Sequence, residues 1–208
     1  MFLFKEYRNH AVLVGFRGND QIVKIPAFYN QKPVTEIAPR VFAFSSIEEV
    51  VLPNRLEVIG IGAFENCYKL KNIAVPPSLR TIEHMAFSGS RISTFTSDTE
   101  DLTLEAKAFS DTYSLTKFAL PNAKHLVLGS STFLRSSIET FDAPFATVPV
   151  IEDHTFAYCS SLKKLNLKFH CVEEYAFYCC RNLMGFDIKK LTYADSTAFS
   201  GCPNLQKR

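Results

Sequence analysis

Six cysteines and five histidines are the side chains in this 208-residue chain best suited to nucleophilic or metal chemistry. Cys67, Cys159, Cys180 and Cys202 each stand three residues after a phenylalanine. A shared position of that kind reads as a small buried apolar group, not as a ligand set. Cys171 and Cys179 fall outside it. No C-x-x-C occurs, so the spacing does not read as zinc-binding, and a chain of this size needs no disulfide framework. The thiols are read as reduced. His10, His84, His125, His154 and His170 are scattered over unrelated positions. Glu152-Asp153-His154 could form a general base and its orienting acid, but it occupies the place where other segments put helix-capping residues. Thr96-Ser97-Asp98-Thr99-Glu100-Asp101 could offer oxygens to calcium, but it lacks the EF-hand spacing and reads as a solvated loop. No G-x-S-x-G, H-E-x-x-H, P-loop or G-x-G-x-x-G is present. No catalytic, cofactor-binding or metal-binding residues are assigned, no cofactor is expected, and the chain is not read as an enzyme.

The same phenylalanines reveal the elements that position everything else. Phe42, Phe64, Phe87, Phe109, Phe133, Phe156, Phe177 and Phe199 are spaced by 22, 23, 22, 24, 23, 21 and 22 residues. Five of these anchors follow an alanine. After Phe64 come Cys67, Leu70, Ile73, Val75 and Pro76, and the other units repeat this pattern with small departures. The last apolar pair, two residues apart, has the strand period. The Ala-Phe segment, often preceded by Ser, Thr, Asp or Glu, reads as one capped helical turn. A proline then closes several strands, where no ladder donor is needed. One such unit cannot bury its apolar side alone, whereas stacked units can.

The expected fold is therefore an α/β solenoid. A parallel sheet of about eight short strands forms one face, near 22–25, 48–52, 71–75, 94–97, 117–120, 140–143, 164–167 and 185–188. Helical turns and irregular segments form the other, with second extended segments at Leu56–Ile59, Leu79–Ile82, Leu126–Leu128 and Val172–Tyr175. Residues 1–21 do not fit the repeat and read as an N-terminal capping hairpin. Residues 22–208 form one repeat domain whose C-terminus is uncapped. Two phenylalanine columns should run through the core: the anchors, and Phe95, Phe118, Phe141 and Phe186.

The segments IPAFYNQKPVTEIAPRVF, AFENCYKLKNIAVPPSLRTIEHMAF, TFAYCSSLKKLNL and AFYCCRNLMGFDI resemble the BspA-like class of leucine-rich repeats. The likeness runs from about residue 11 to the C-terminus and is carried by the A-F-x-x-C-x-x-L phrase recurring in register. It implies a leucine-rich-repeat solenoid and a binding role in adhesion or surface recognition.

What such a stack presents is a surface. Side chains flanking the inward strand pair face outward, and Asn72, Thr94, Thr96, Lys117, Thr140, Asp142, Lys164 and Asn166 form the candidate protein-binding face. Tyr68, Tyr113, Tyr158 and Tyr178 lie on the opposite side, where core-edge packing is the expected role. The expected partner is another protein, with edge-to-edge self-association at the uncapped C-terminus as a further contact. A net charge of +2 leaves no basic footprint for nucleic acid. No apolar run reaches the ~18–20 residues of a membrane span, so no membrane insertion is expected. Lys5, Glu6 and Arg8 stand where a signal peptide would be apolar. The compartment stays open: cytoplasmic, or cell surface or secreted if the chain is part of a longer protein. The alternatives to an adhesion module are an intracellular scaffold and the recognition arm of a larger enzyme.

Overall fold

The computed structural model of the protein describes residues 1–185 and 187–205. The chain opens on an antiparallel hairpin, β1 (Phe2–Glu6) and β2 (Ala11–Phe16). Each subsequent coil contributes short strands to two parallel sheets. A front strand β3 (Ile22–Lys24) is followed by a small hairpin, β4 (Phe28–Tyr29) and β5 (Lys32–Ile37), of which β5 joins the back sheet. Both residues of the hairpin turn, Asn30 and Gln31, have positive φ, as a two-residue turn that matches strand twist requires.

Front and back strands then alternate: β6 (Glu49–Val51) and β7 (Val58–Ile59), β8 (Asn72–Ala74) and β9 (Thr81–Ile82). The pairs β10 (Thr94–Thr96) with β11 (Asp101–Leu104) and β12 (Lys117–Ala119) with β13 (His125–Leu128) follow. In β14 (Thr140–Ile151) and β15 (Lys164–Val172) the front and back segments are continuous, and β16 (Tyr193–Ala194) ends the back sheet. The back order is β1-β2-β5-β7-β9-β11-β13-β14-β15-β16. The front sheet is in two pieces, β3-β6-β8 and β10-β12-β14-β15, and among the described residues no ladder joins β8 to β10.

Seven of the eight front strands lie where the repeat places them. The eighth, at 185–188, does not form among the described residues. Gly185 has φ 89°, and Ile188–Lys190 make a 3-10 turn in which the Asp187 carboxylate accepts the N–H of Lys189. Phe186, assigned to the second phenylalanine column, lies outside the described residues, as do Gln206, Lys207 and Arg208.

The Ala-Phe segments are not helical turns. For the first seven anchors, the residues two before and two after the phenylalanine both have positive φ: Arg40 and Phe44, Gly62 and Asn66, Met85 and Gly89, and so on to Tyr175 and Cys179. A left-handed residue every fourth position prevents right-handed helix from propagating. The N–H groups go to two destinations alternately. Ala63 and Glu65 bond three residues back within their own coil, whereas Gly62, Phe64 and Asn66 bond the carbonyls of His84, Ala86 and Ser88 in the next. The segment is thus a column of stacked turns, hydrogen-bonded coil to coil like a third sheet. Acidic residues expected to cap helices cap these turns instead. The Glu83 and Glu105 carboxylates accept the N–H of Ile61 and His84 in the preceding coil, and Asp153 accepts from the Ser130 hydroxyl at 2.9 Å. Partial burial pushes the Glu83 and Glu152 carboxyls above their usual range, partly offset by the N–H groups of Ile61 and Ser130.

The core is two aromatic columns. Anchor rings from Phe42 to Phe199 stack nearly parallel at 5.1–5.5 Å. Phe95, Phe118 and Phe141 form the second column at 4.7 and 5.1 Å. They meet the anchors edge-on, as Phe109–Phe118 at 5.3 Å and Phe133–Phe141 at 5.7 Å, the offset that ring quadrupoles favour.

The position three residues after each anchor shows a buried ladder. It holds Ser45, Cys67, Ser90, Thr112, Ser136, Cys159, Cys180 and Cys202, so every occupant is small and can donate a hydrogen bond. Cys67, Cys159, Cys180 and Cys202 donate to the carbonyls of Phe42, Phe133, Phe156 and Phe177 in the preceding coil at 2.9–3.0 Å. Thr112 donates within its own coil to Phe109, and the Ser136 hydroxyl accepts from the Ile138 N–H. Ser90 is fully buried and its hydroxyl has no partner among the described residues. In the cysteine coils the longer C–S bond carries the donor to a carbonyl of the preceding coil. Ser90→Cys should therefore stabilise the protein by about 1–3 kcal/mol, the usual cost of an unsatisfied buried group. Chemical denaturation of the two proteins checks this, and Ser90→Ala should also be at least neutral.

Candidate functional site

Strand alternation decides which side chains the front sheet exposes. In β10, Thr94 and Thr96 are exposed while Phe95 between them is buried. Parallel register then aligns equivalent positions. Thr94, Lys117, Thr140 and Lys164 are direct partners across β10, β12, β14 and β15. Thr96, Ala119, Asp142 and Asn166 form a second row beside them, two residues along the strands. The structure thus gathers seven of the eight residues of the candidate face into one continuous two-row panel. Asn72, the eighth, is in register with Glu49 on the other front-sheet piece, across the gap between β8 and β10. Ala119 is small and 7% exposed, so the second row has a dip at its centre.

The panel is polar and partly preorganised. Asn166 donates to Asp142 at 2.6 Å, joining β15 to β14, and Lys163 pairs with Glu139 at 2.9 Å along its upper edge. Lys117 and Lys164 are exposed and have no ion-pair partner among the described residues. The gap carries an open depression of about 200 Å³ lined by Glu49, Val51, Asn72, Ile73, Ala74 and Thr94. Repeat spacing does not announce this break. It coincides with the unit that is one residue short after Phe87 and has Asp98 where other units place the strand-closing proline.

Other candidates resolve into structural roles. His125 and Asp101 meet at 2.6 Å on an exposed back-sheet ladder, with Lys124–Glu100 at 2.9 Å beside them. Pairs this exposed contribute ~0–1 kcal/mol. The Asp153 carboxylate contacts His154 at 3.3 Å and Ser130 at 2.9 Å. No group of three His, Cys, Asp or Glu side chains that could hold a metal ion occurs among the described residues. No helix among them is long and apolar enough to cross a membrane.

The tyrosines differ from expectation. Tyr68, Tyr113 and Tyr158 are 56%, 54% and 50% exposed and do not pack at the core edge. They follow the left-handed residue of the turn column or occupy it, which aims them away from the phenylalanine stack. Tyr178 is half-buried and meets Tyr158 and Tyr175 edge-on at 5.1 and 5.5 Å.

Comparison with known proteins gives one family and one architecture. The family described as the BspA type leucine rich repeat region matches in six copies, over residues 35–163 and 127–207. The solved leucine-rich repeat protein TpLRR of T. pallidum is similar over 99% of this chain and 88% of its own, at 22% identity and a TM-score of 0.73. The pneumococcal vaccine antigen PcpA is similar over 98% of this chain and 78% of its own, at 17% identity and a TM-score of 0.50. No curated protein matches the chain by sequence.

Proposed function

Given that this chain belongs to the BspA-type leucine-rich repeat family, we propose that it is a non-catalytic protein-binding module that reads its partner on the front sheet. The setting we propose is adhesion or surface recognition, the role implied by the family resemblance. One observation carries the reading: two in-register rows of side chains, polar at every position but Ala119, cross four consecutive parallel strands. A solenoid offers such a face as an extended binding surface. The residues that would make contact are Asn72, Thr94, Thr96, Lys117, Thr140, Asp142, Lys164 and Asn166. Lys117 and Lys164 supply cations with no ion-pair partner among the described residues, and Asp142 with Asn166 supplies a fixed acceptor edge. The mixed charge argues for modest salt dependence, unlike a nucleic-acid binder.

The test is a charge reversal of the panel. Lys117→Glu with Lys164→Glu should leave the unfolding midpoint nearly unchanged, since exposed substitutions usually fall within about ±0.5 kcal/mol. The same pair should weaken capture of a partner isolated with the wild-type protein by about tenfold or more, the scale of a lost interface anchor. Unchanged capture would refute the assignment of the site to this face. We propose the β1–β2 hairpin as an N-terminal cap: it extends the back sheet as an antiparallel pair beyond β5, covering a strand edge that would otherwise be open.

A further inference from the structure

The turn column carries a second surface, independent of the front sheet. Tyr68 and Tyr113 each stand four residues after an anchor and are more than half exposed. Their backbones are set the same way: the N–H of Tyr68 bonds the Asn66 carbonyl, and that of Tyr113 bonds the Asp111 carbonyl. Arg91, four residues after the intervening anchor, belongs to the coil between them; that unit is one residue short, and the Arg91 N–H bonds the Cys67 carbonyl of the preceding coil instead. Arg91 is exposed, and its side chain has no hydrogen bond or ion pair among the described residues. Tyr113 is held in place, since its hydroxyl donates to Asp111 at 2.9 Å and Arg135 grips the same carboxylate at 2.8 Å. That bond to Asp111 pushes the phenol above its usual pKa, while the nearby charges of Arg91 and Arg135 act the other way. Exposed tyrosine and arginine in one row is the composition of interface anchors, not of ordinary surface.

The spacing of this row selects the kind of partner. Phe64, Phe87 and Phe109 are separated by 5.1 and 5.2 Å between ring centroids, so equivalent atoms two coils apart lie about 10 Å apart. A polyproline II helix repeats every three residues, ~9.3 Å. Prolines at i and i+3 of such a helix would meet Tyr68 and Tyr113 in turn. A residue between them would come within reach of Arg91, and charge complementarity makes that residue acidic. We infer that the Tyr68–Arg91–Tyr113 ridge is a docking site for an acidic, proline-rich protein segment in the polyproline II conformation. A preformed extended helix lying on tyrosine rings loses little entropy on binding, and the Asp111 clamp limits the cost on this side.

The test uses a synthetic peptide of four Pro-Pro-Glu triplets, with two controls: Pro-Pro-Lys triplets, and Gly-Ser-Glu triplets that keep the charge without the helix. Binding is measured by titration calorimetry on the full chain. The Pro-Pro-Glu peptide should bind, and both controls should be weaker by about tenfold or more. Tyr68→Ser with Tyr113→Ser should abolish the difference from Gly-Ser-Glu. Arg91→Glu should invert the preference toward Pro-Pro-Lys, a gain that misfolding could not produce. Equal affinity for the three peptides would overturn the inference. So would binding that survives in the tyrosine pair variant but is lost in Lys117→Glu with Lys164→Glu, which would assign the peptide to the front sheet.

Discussion

Phe109→Ala should lower the stability of this protein by about 3–5 kcal/mol, the usual loss on truncating a buried phenylalanine, and Phe199→Ala should cost clearly less. Phe109 is fully buried at the crossing of both aromatic columns. It stacks on Phe87 and Phe133 at 5.2 and 5.5 Å and takes the edges of Phe95 and Phe118 at 5.2 and 5.3 Å. Phe199 stacks on Phe177 at 5.3 Å near the end of the described stack and retains 8% exposure. In a nearest-neighbour stack, removing a central ring weakens the interfaces on both of its sides. Urea denaturation of the two variants makes the comparison. Equal midpoints would mean that stability is not organised coil by coil.

The second large effect is expected in alkali. Burial pushes the Cys67 thiol up to about 11 and the Cys159 thiol up to about 12, against an ordinary value of 9.0. Hydrogen bonding offsets only part of this: Ser45 favours the Cys67 thiolate, and Ser136 the Cys159 thiolate. In the unfolded chain both thiols ionise near their ordinary pKa. The folded chain therefore holds more protons between pH 9 and the raised values, and stability falls as pH rises through that window. Below pH 9 the contribution is intact. Each thiol should remove about 1.4 kcal/mol per pH unit above 9. Going from pH 8 to pH 10.5 should thus narrow the stability gap between wild type and Cys159→Ala by about 2 kcal/mol. The same burial should protect Cys67 and Cys159 from alkylation at pH 8, leaving the partly exposed Cys171 and Cys179 to react first. A gap that does not change with pH would show that Cys159 is not buried as described.

Much of this architecture is legible in the chain because its repeat is written in large residues. Eight evenly spaced phenylalanines locate the coils, and an apolar pair two residues apart locates the front strands and hence the outward rows that contain Lys117 and Lys164. The turn column is not legible, for a specific reason. Left-handed backbone is normally announced by glycine or asparagine, yet here those positions hold Arg40, Met85, Lys107, Tyr175 and others, whose side chains look helix-compatible. Hydrogen bonds between coils hold those conformations, and no local residue reports them. The tyrosines are misread for the same reason: an aromatic beside an anchor reads as core unless the left-handed turn that aims it outward is known. The ladder of small donors is visible once serine and threonine are grouped with cysteine, which a reading confined to cysteine overlooks.

The division of aromatic residues between core and surface also governs what light reports. There is no tryptophan. The stacked columns are phenylalanine alone, and none of the eight tyrosines is buried. Intrinsic emission excited near 275–280 nm therefore arises from the outside of the molecule and is blind to the packed interior. Near-ultraviolet dichroism in the phenylalanine region below about 270 nm arises instead from rings held at fixed offsets in the stack. The two signals are separate by construction. One follows what touches the ridge, the other follows whether the coils are still stacked, and a single unlabelled sample carries both.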